Sequence, residues 1–499
     1  MSIVKNYKYI FYDLETTGQN PCFDQVVRFA AKETDSNLNI INEHNISIKL
    51  RNDVVPHPKA LLVNKLSIDE LQEGLVEYEA FSQIHHIMNQ QNTISIGYNS
   101  LSFDDQFLRF GFYRNLLDPY THQYGNKFRA DLYNMIFMYY LYKKDDSIIW
   151  PTPNNRLSLK LEKINAINNL YEGMSHDAEV DVYVTIELAK QLKNVDDKMW
   201  DYLISSFLSE NEKNYFNKLP SITCIDDSSY KIGILISNKN GLKSNYCSPV
   251  IELCIVKENE EIKKKKKRLL RLDNYNFEDF TEKSFANKID KGIISKTFGE
   301  PNFIVPFTDK YLSIFNEHII GLAKSNLVWI KHHPDAIRHL IDKYQNKNYK
   351  NDLPVDLDAS LYQDEKKGGG WFRKDEQLYR NNFHNYNRSD KINYIQNLEN
   401  STSQLRIKKI GVRIMGRNYF DSLSGDLKDE YTNYLNLIFH NEPTTADFSD
   451  RLRVDPNLLL KETRELSKNK ELSSQDQKIL IQLENFISIK IRKQQDLGF

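Results

Sequence analysis

Two carboxylates separated by one residue, Asp13 and Glu15, follow an aromatic run at residues 9–12. Such an apolar run is typical of a strand that is buried on both faces. Alternate residues of a strand share a face, so the two carboxylates would project together while Leu14 points the other way. Neighbouring carboxylates repel each other, and a hard divalent cation such as Mg²⁺ or Mn²⁺ relieves the repulsion. The alternative is a strand that ends in a polar loop.

A second acidic element, Asp104-Asp105, follows an apolar stretch at residues 93–96 and a polar turn. The pattern places Asp104 at the N-terminus of a helix. A carboxylate at that position either caps the backbone N–H groups or turns into a cleft as a metal ligand. Taken alone, the element leaves both interpretations open.

The third element is the segment 175–183, in which His176 and Asp177 precede an apolar helical pattern. Asp177 is a candidate N-cap, and Asp181 then lies one turn inside the helix. A histidine on a loop beside a carboxylate fixed on a helix suits a general base next to a bound metal ion. The alternative is a loop histidine beside an ordinary solvated helix face.

The elements that must position these side chains alternate between strand and helix in the first 200 residues, which indicates an α/β fold. From about residue 205 to 345 short β-like runs predict a small β-rich domain. From about residue 372 onward the pattern is helical. The predicted strands are 40–50, 93–98, 230–237, 250–256 and 303–305, and the clearest predicted helices are 67–74, 78–88, 132–142, 176–192, 426–439 and 475–492.

Composition excludes several classes of protein. The chain has 499 residues, a net charge of −1 and four cysteines. None of the cysteines forms a C-x-x-C pair, which argues against a zinc site or a disulfide framework and suits a reducing cytoplasm. No apolar run approaches the roughly 18 residues of a membrane span, and the N-terminus lacks the apolar core of a signal peptide. Nucleic-acid binding would have to use local patches, such as the basic run 263–268, which is otherwise a solvated loop.

The order and spacing of the three acidic elements resemble the DEDDh group of 3′→5′ exonucleases, which have a ribonuclease H-like fold. The segments FYDLETTGQNP, GYNSLSFDDQFLRF and HDAEVDVYVTIELAK are similar in particular to the bacterial exonuclease I family. The similarity is strong over residues 7–192 and weak at 359–362 and 416–420. It implies an α/β ribonuclease H-like exonuclease domain with a mixed sheet at 1–200, an SH3-like β-rich domain at 201–348 and a C-terminal α-helical domain at 349–499.

Carried over residue by residue, the resemblance makes four carboxylates the metal ligands and His176 the general base. Two Mg²⁺ ions, with Mn²⁺ as a possible substitute, would then promote hydrolysis of the phosphodiester. Glu15 would also contact the terminal nucleotide. Lys160 stands where the family usually carries a substrate-binding arginine, and it keeps the charge but loses the planar fork; the alternative is a lysine on a helix surface. The metal ligands are Asp13, Glu15, Asp104 and Asp181.

The resemblance therefore predicts a 3′→5′ exodeoxyribonuclease that converts single-stranded DNA to 5′-mononucleotides in DNA repair and recombination. Two alternatives stay open: an exoribonuclease, because the catalytic motifs do not distinguish the two substrates, and an inactive protein that binds single-stranded DNA. The expected partners are single-stranded DNA and the C-terminal tail of single-stranded-DNA-binding protein, for a cytoplasmic monomer that does not bind membranes. This chain's own end, which finishes in Phe499, resembles such a tail, although an end without function is the simpler interpretation.

Aromatic and basic residues after Asp104 are candidates for a groove that binds single strands, because bases stack on aromatic rings. The candidates are Arg109, Phe112, Tyr113, Arg114, Tyr120 and Tyr124. The spacing of Phe107, Phe110 and Tyr113 favours the core face of a helix instead. For Phe112, Arg114 and Tyr124 the sequence leaves the choice open.

Overall fold

The computed structural model describes residues 7–225, 228–241, 246–253, 266–345, 355–363, 369–439 and 445–495. Strands are β1 Lys8–Thr16, β2 Val26–Thr34, β3 Ile40–Ser47, β4 Thr93–Gly97, β5 Lys127–Asp131, β6 Ser221–Ile225, β7 Ser228–Ile236, β8 Cys247–Leu253, β9 Lys266–Arg271, β10 Ile293–Thr297 and β11 Phe303–Pro306. Helices in the first half are α1 Pro58–Asn64, α2 Glu77–Met88, α3 Asp104–Arg114, α4 Leu132–Tyr142, α5 Leu161–Asn168, α6 Ala178–Val195, α7 Asp197–Ser206 and α8 Ser209–Asn217. Those that follow are α9 Glu282–Lys288, α10 Asp309–Leu312, α11 Glu317–His332, α12 Pro334–Gln345, α13 Gln377–Asn385, α14 Arg388–Asn397, α15 Leu405–Tyr419, α16 Gly425–Phe439, α17 Pro456–Leu466 and α18 Ser474–Gln495.

The chain divides into two compact units, each assembled from separate stretches of sequence. We call residues 8–127, 171–186 and 350–499 the carboxylate unit, because it contains all three acidic elements. Residues 1–7, 128–170 and 187–349 form the hairpin unit. The domain boundaries expected near residues 200 and 348 stay a prediction.

Strand β1 lies inside a mixed sheet of the carboxylate unit. The first four strands are ordered β3-β2-β1-β4, and β1 runs antiparallel to β2 and parallel to β4. Residues 9–12 are at most 2% exposed, which confirms the strand buried on both faces. Leu14 packs in one apolar cluster with Ile10 and Tyr12. Because side chains alternate along a strand, this contact leaves Asp13 and Glu15 on the opposite face.

The predicted helices are confirmed with one exception. Residues 67–74 contain only a three-residue 3-10 helix, Glu70–Gln72, where we expected a longer helix. The Glu70 carboxylate accepts hydrogen bonds from the Ser67 N–H at 2.8 Å and hydroxyl at 2.7 Å, and so closes a single turn. Gly74 then adopts φ +96°, and a Cβ there would lie 2.4 Å from the Ser47 carbonyl oxygen. A glycine held in the left-handed region ends the turn before a second one can form.

The C-terminal helices of the carboxylate unit pack on α3 through a large apolar cluster that includes Phe110 and Tyr113. Buried ion pairs also join distant parts of this unit. Arg417 of α15 donates to Asp53 at 2.8 Å and pairs with Asp358, and all three side chains are at most 1% exposed. Removal of one partner would leave an uncompensated buried charge, so these pairs hold α15 in place.

The hairpin unit contains an antiparallel sheet with the order β10-β9-β8-β7-β11, and β6 pairs with β7. The prediction of a β-rich region is confirmed. In the basic run, residues 263–265 lie outside the described part of the chain, and residues 266–268 belong to β9. Residues 254–256 of one predicted strand and the terminal residues 496–499 also lie outside it. None of the described helices is long and apolar enough to cross a membrane.

Candidate active site and metal centre

Three carboxylates converge at the end of β1. Ligand atoms of Asp13, Glu15 and Asp181 all lie within 4.8 Å of one another. Strand β1 supplies the first two, and the first turn of α6 supplies the third. Glu15 is 7% exposed, and the other two are half-buried. Oxygen donors at this spacing match the ligand set of a hard divalent cation.

Electrostatics sets this cluster apart from ordinary surface acids. Burial, reinforced by the charges of Asp181, Asp104 and Asp177, raises the pKa of Glu15 to about 9. Burial and the same neighbouring carboxylates also hold the pKa of Asp13 well above its ordinary value. Repulsion therefore opposes simultaneous ionisation of the group, and a bound divalent cation would offset it. The donor set fits a metal ion.

Asp104 and Asp105 have different surroundings although they are adjacent. Helix α3 begins at Asp104, which is 4% exposed and raises the pKa of both Asp13 and Glu15. Asp104 does not belong to the group of ligand atoms within 4.8 Å, although its charge acts on both Asp13 and Glu15. Asp105 accepts a hydrogen bond from the Tyr12 hydroxyl at 2.6 Å. Its placement in the core separates it from the cluster.

Asp105 also anchors a buried polar network under α3. Its carboxylate lies 3.2 Å from Nε2 of His122 and 4.0 Å from the guanidinium of Arg109. These contacts, together with the hydrogen bond from Tyr12, compensate for the complete burial of the carboxylate. Asp105 is therefore a structural residue and a suitable control for its neighbour.

His176 lies on an exposed turn just before α6. Its φ of +64° is a left-handed conformation that few residues other than glycine adopt, although histidine tolerates it better than most. Asp177 caps α6, as expected, because its side chain accepts a hydrogen bond from the Glu179 N–H at 3.0 Å. Its carbonyl accepts from the Asp181 N–H at 2.9 Å, which fixes Asp181 in the first turn. The cap therefore places the exposed histidine turn directly before a carboxylate that is fixed in a helix.

Lys160 immediately precedes α5 in the hairpin unit. Its side chain is 73% exposed, and Nζ lies 3.5 Å from a carboxylate oxygen of Glu162. The carboxylates and Lys160 thus belong to different units, and a contact of Lys160 with substrate stays a prediction.

Arg28 on β2 is a site residue that the sequence analysis missed. The antiparallel register pairs it with Glu15, and its positive charge opposes the rise in the pKa of Glu15. Its guanidinium also lies 3.4 Å from Asp177. A basic residue within the apolar run 26–31 was the available signal, but only the register reveals what it faces.

Most of the proposed groove residues are core residues instead. Phe112, Tyr113 and Arg114 are fully buried, and Arg109 is 7% exposed. The Arg114 guanidinium donates to three backbone carbonyls, those of residues 21, 22 and 24. Phe107 and Phe110 are buried as predicted. Among the candidates only Tyr124 is half-exposed, at 52%.

The sequence of this chain is similar to those of known exonucleases. Residues 10–189 match the RNase_T family model, described as Exonuclease. Over 456 residues the chain is 28% identical to exodeoxyribonuclease I of Buchnera aphidicola subsp. Schizaphis graminum, an alignment that covers 85% of this chain and 86% of that protein. The chain is thus similar to exodeoxyribonuclease I along most of its length. It is also 35% identical over 202 residues to exodeoxyribonuclease I of Escherichia coli, over 40% of this chain and 42% of that protein.

Solved structures of exonuclease I share the fold of this protein along nearly the whole chain. The E. coli enzyme in complex with a dA16 oligonucleotide superimposes with a TM-score of 0.81 at 19% identity, covering 97% of this chain and 100% of that one. Exonuclease I of Methylocaldum szegediense gives 0.76 at 20% identity with the same coverage. The fold is therefore a ribonuclease H-like exonuclease fold with a mixed sheet, an SH3-like β-rich region and a helical C-terminal region.

Proposed function

We propose that this protein degrades single-stranded DNA from the 3′ end to 5′-mononucleotides, and that the Asp13–Glu15–Asp181 cluster holds the divalent metal ions of the reaction. The protein is a 3′→5′ exodeoxyribonuclease similar to exodeoxyribonuclease I. The observation that carries the proposed site is the convergence of three carboxylates within 4.8 Å at the end of a buried strand. Relatives that are named exodeoxyribonucleases favour DNA over RNA as the substrate.

Each side chain of the site has a different proposed role, which follows from its position. A bound pair of divalent ions, for which we propose Mg²⁺, would supply an activated water and stabilise the leaving oxygen. Asp13 lies on the rigid strand β1 and would help to bind both ions. Glu15 and Asp181 would supply further ligands to one ion, and Asp104 would act on the second ion from a greater distance. His176, on the exposed turn, would accept the proton of the attacking water.

A degradation assay on the full chain tests this proposal. We expect 5′-labelled single-stranded DNA to shorten from its 3′ end only with added Mg²⁺ or Mn²⁺, faster than matched duplex DNA or RNA. Asp13→Ala and Asp181→Ala should abolish this activity. Glu179→Ala is the matched control, since Glu179 lies two residues from Asp181 but contacts Lys32 at 3.1 Å. Undiminished hydrolysis by Asp181→Ala would refute the assignment of the site.

His176 has a separate test because its role is proton transfer. We expect His176→Ala to slow hydrolysis by roughly 10²–10⁴-fold while DNA affinity is retained. A parallel loss of DNA affinity would instead indicate that His176 binds substrate. A further proposal is that Lys160 contacts the DNA backbone from the hairpin unit.

The family resemblance also supports proposals about partners and organisation. We propose an exonuclease domain at residues 1–200, an SH3-like domain at 201–348 and a helical domain at 349–499, acting as a cytoplasmic monomer. We also propose that the protein binds the C-terminal tail of single-stranded-DNA-binding protein. A labelled tail peptide should bind the full chain, and a peptide without its terminal phenylalanine should not; equal binding of both peptides would contradict specific recognition of the tail.

A further inference from the structure

The turn that carries His176 belongs to a short segment, residues 171–177, which forms neither helix nor strand and leads into α6. The chain enters the second stretch of the carboxylate unit at Tyr171, the first residue of this segment. Residues 171–174 are exposed, and Met174 is 60% exposed. The segment therefore buries little surface of its own, and the position of His176 depends on how the segment is attached to its neighbours.

An aromatic stack attaches the start of the segment to α6. The rings of Tyr171 and Tyr183 lie 4.5 Å apart between centroids, with 10° between their planes. Tyr183 lies on α6, seven residues after His176. Near-parallel rings at this distance attract each other beyond the area that they bury. The first residue of the segment is thus attached to the same helix that carries Asp181 in its first turn.

Tyr183 is itself held by the sheet. The ammonium group of Lys32 on β2 lies 4.0 Å from the centroid of the Tyr183 ring. The Tyr183 hydroxyl donates a hydrogen bond to the Glu43 carboxylate on β3 at 3.1 Å. Lys32 is 2% exposed and pairs with the same carboxylate at 2.8 Å. Linked polar contacts of this kind restrain one another, so Tyr183 presents a fixed ring to Tyr171.

Two further contacts attach the rest of the segment to α6. A Cβ on Gly173 would lie 2.7 Å from a methyl group of Val180, so the backbone at Gly173 packs directly on the helix. Asp177 caps the helix through the Glu179 N–H. The segment is therefore attached at its first, third and last residues. Replacement of the first residue leaves the other two attachments in place and so isolates the contribution of the stack.

We propose that Tyr171 is a positioning residue for the reaction and acts through His176, because its stack on Tyr183 holds the histidine turn against α6. This inference rests on the proposed function, in which His176 accepts the proton of the attacking water. A general base works only within hydrogen-bonding distance of the proton that it takes, so conformations that displace the turn are unproductive. Loss of the stack lets the turn sample such conformations. It slows hydrolysis and leaves the binding of DNA unchanged.

Single-turnover hydrolysis of 5′-labelled oligo-dT in saturating Mg²⁺ measures this effect on the full chain. We expect Tyr171→Ala to slow removal of the 3′ nucleotide by roughly 2- to 12-fold, the factor that corresponds to the loss of one aromatic pair. Tyr171→Phe should keep the wild-type rate because it keeps the ring. Tyr386→Ala is the matched control, since Tyr386 is also an exposed tyrosine of this unit, with its ring 5.2 Å from that of Tyr394. A wild-type rate in Tyr171→Ala would overturn the proposal.

A double-mutant cycle shows whether Tyr171 acts through His176. In the His176→Ala background, Tyr171→Ala should have no further effect on the rate, because the turn no longer carries the base. The affinity for oligo-dT in EDTA should be the same in the wild type, both single variants and the double variant. An equal slowing by Tyr171→Ala in both backgrounds would show that Tyr171 acts independently of His176, and would overturn the proposal.

Hydrogen exchange reports on the turn without relying on catalysis. The backbone amides of residues 172–177 should exchange faster in Tyr171→Ala than in the wild type or Tyr171→Phe, whereas those of α6 beyond residue 183 should not change. Equal exchange in all three proteins would overturn the proposal.

Failure of the proposed function gives a different result. Hydrolysis at the wild-type rate by His176→Ala would refute the role of His176 as the base, whatever Tyr171→Ala does. A slow His176→Ala protein together with an unaffected Tyr171→Ala protein refutes only the positioning role of Tyr171.

Discussion

Replacement of Glu15 by Gln should stabilise the metal-free protein at alkaline pH, although it removes a proposed metal ligand. Burial and the carboxylates around it raise the pKa of Glu15 from 4.5 to about 9. The unfolded chain loses this proton near pH 4.5, whereas the folded chain keeps it until about pH 9. Folding therefore takes up a proton between these values, and the free energy of unfolding falls as the pH rises.

The size of the effect follows from the linkage. Each pH unit above 4.5 costs about 1.4 kcal/mol, so at pH 7.5 the penalty approaches about 4 kcal/mol as an upper bound. Glutamine keeps the shape of protonated glutamate and does not titrate, so Glu15→Gln avoids the penalty. The two proteins should approach the same stability as the pH falls below 4.5, where the glutamate is protonated in both the folded and the unfolded chain.

Urea unfolding in EDTA at pH 5 and pH 8 measures this difference. We expect Glu15→Gln to have the higher midpoint at pH 8 and a much smaller advantage at pH 5. Added Mn²⁺ or Mg²⁺ should raise the midpoint of the wild type much more than that of the variant, because bound metal compensates the repelling carboxylates. Glu179→Gln, which alters the ion pair between Lys32 and Glu179 of α6, should show no such pH dependence. A Glu15→Gln protein that is less stable than wild type at pH 8 in EDTA would show that Glu15 is ionised without metal, and would refute the reasoning.

Three further predictions test individual contacts. Asp105→Asn should lower the free energy of unfolding by about 1–3 kcal/mol, because it weakens a buried hydrogen-bonded network, whereas activity should fall less than in Asp104→Asn; the reverse order in an activity assay would contradict the assignment. Gly18→Ala should lower the melting temperature, since the new Cβ would lie 2.3 Å from the buried Asp24 carboxylate; an unchanged melting temperature would mean that Asp24 can move. Lys160→Ala should reduce the slope of log DNA affinity against log salt concentration by about one phosphate contact, whereas Lys160→Arg should keep the wild-type slope. Identical slopes in all three proteins would show that Lys160 does not contact the DNA backbone.

Local patterns in the sequence were sufficient for the elements that carry the site. The aromatic run before Asp13 predicted a doubly buried strand, and the period of two predicted that Leu14 faces away from both acids. The capping residue Asp177 predicted the start of α6 and therefore the position of Asp181 in its first turn. These predictions were confirmed because they depend on backbone periodicity and on hydrogen bonds within a few residues. The prediction of a helix at residues 67–74 was wrong because Gly74, which packs against Ser47 of a distant strand, ends the turn.

The sequence by itself thus determined which carboxylates lie on β1, α3 and α6, and the family resemblance supplied their expected role as metal ligands. Only the tertiary structure showed that Asp105 is bound to Tyr12 in the core, that Arg28 lies across from Glu15, and that the buried Arg109 contacts the Tyr120 ring. Trp371 stacks on Tyr120 although the two residues are far apart in the chain. Strand register and contacts between distant segments depend on which surfaces meet in the folded protein, and no local period specifies them.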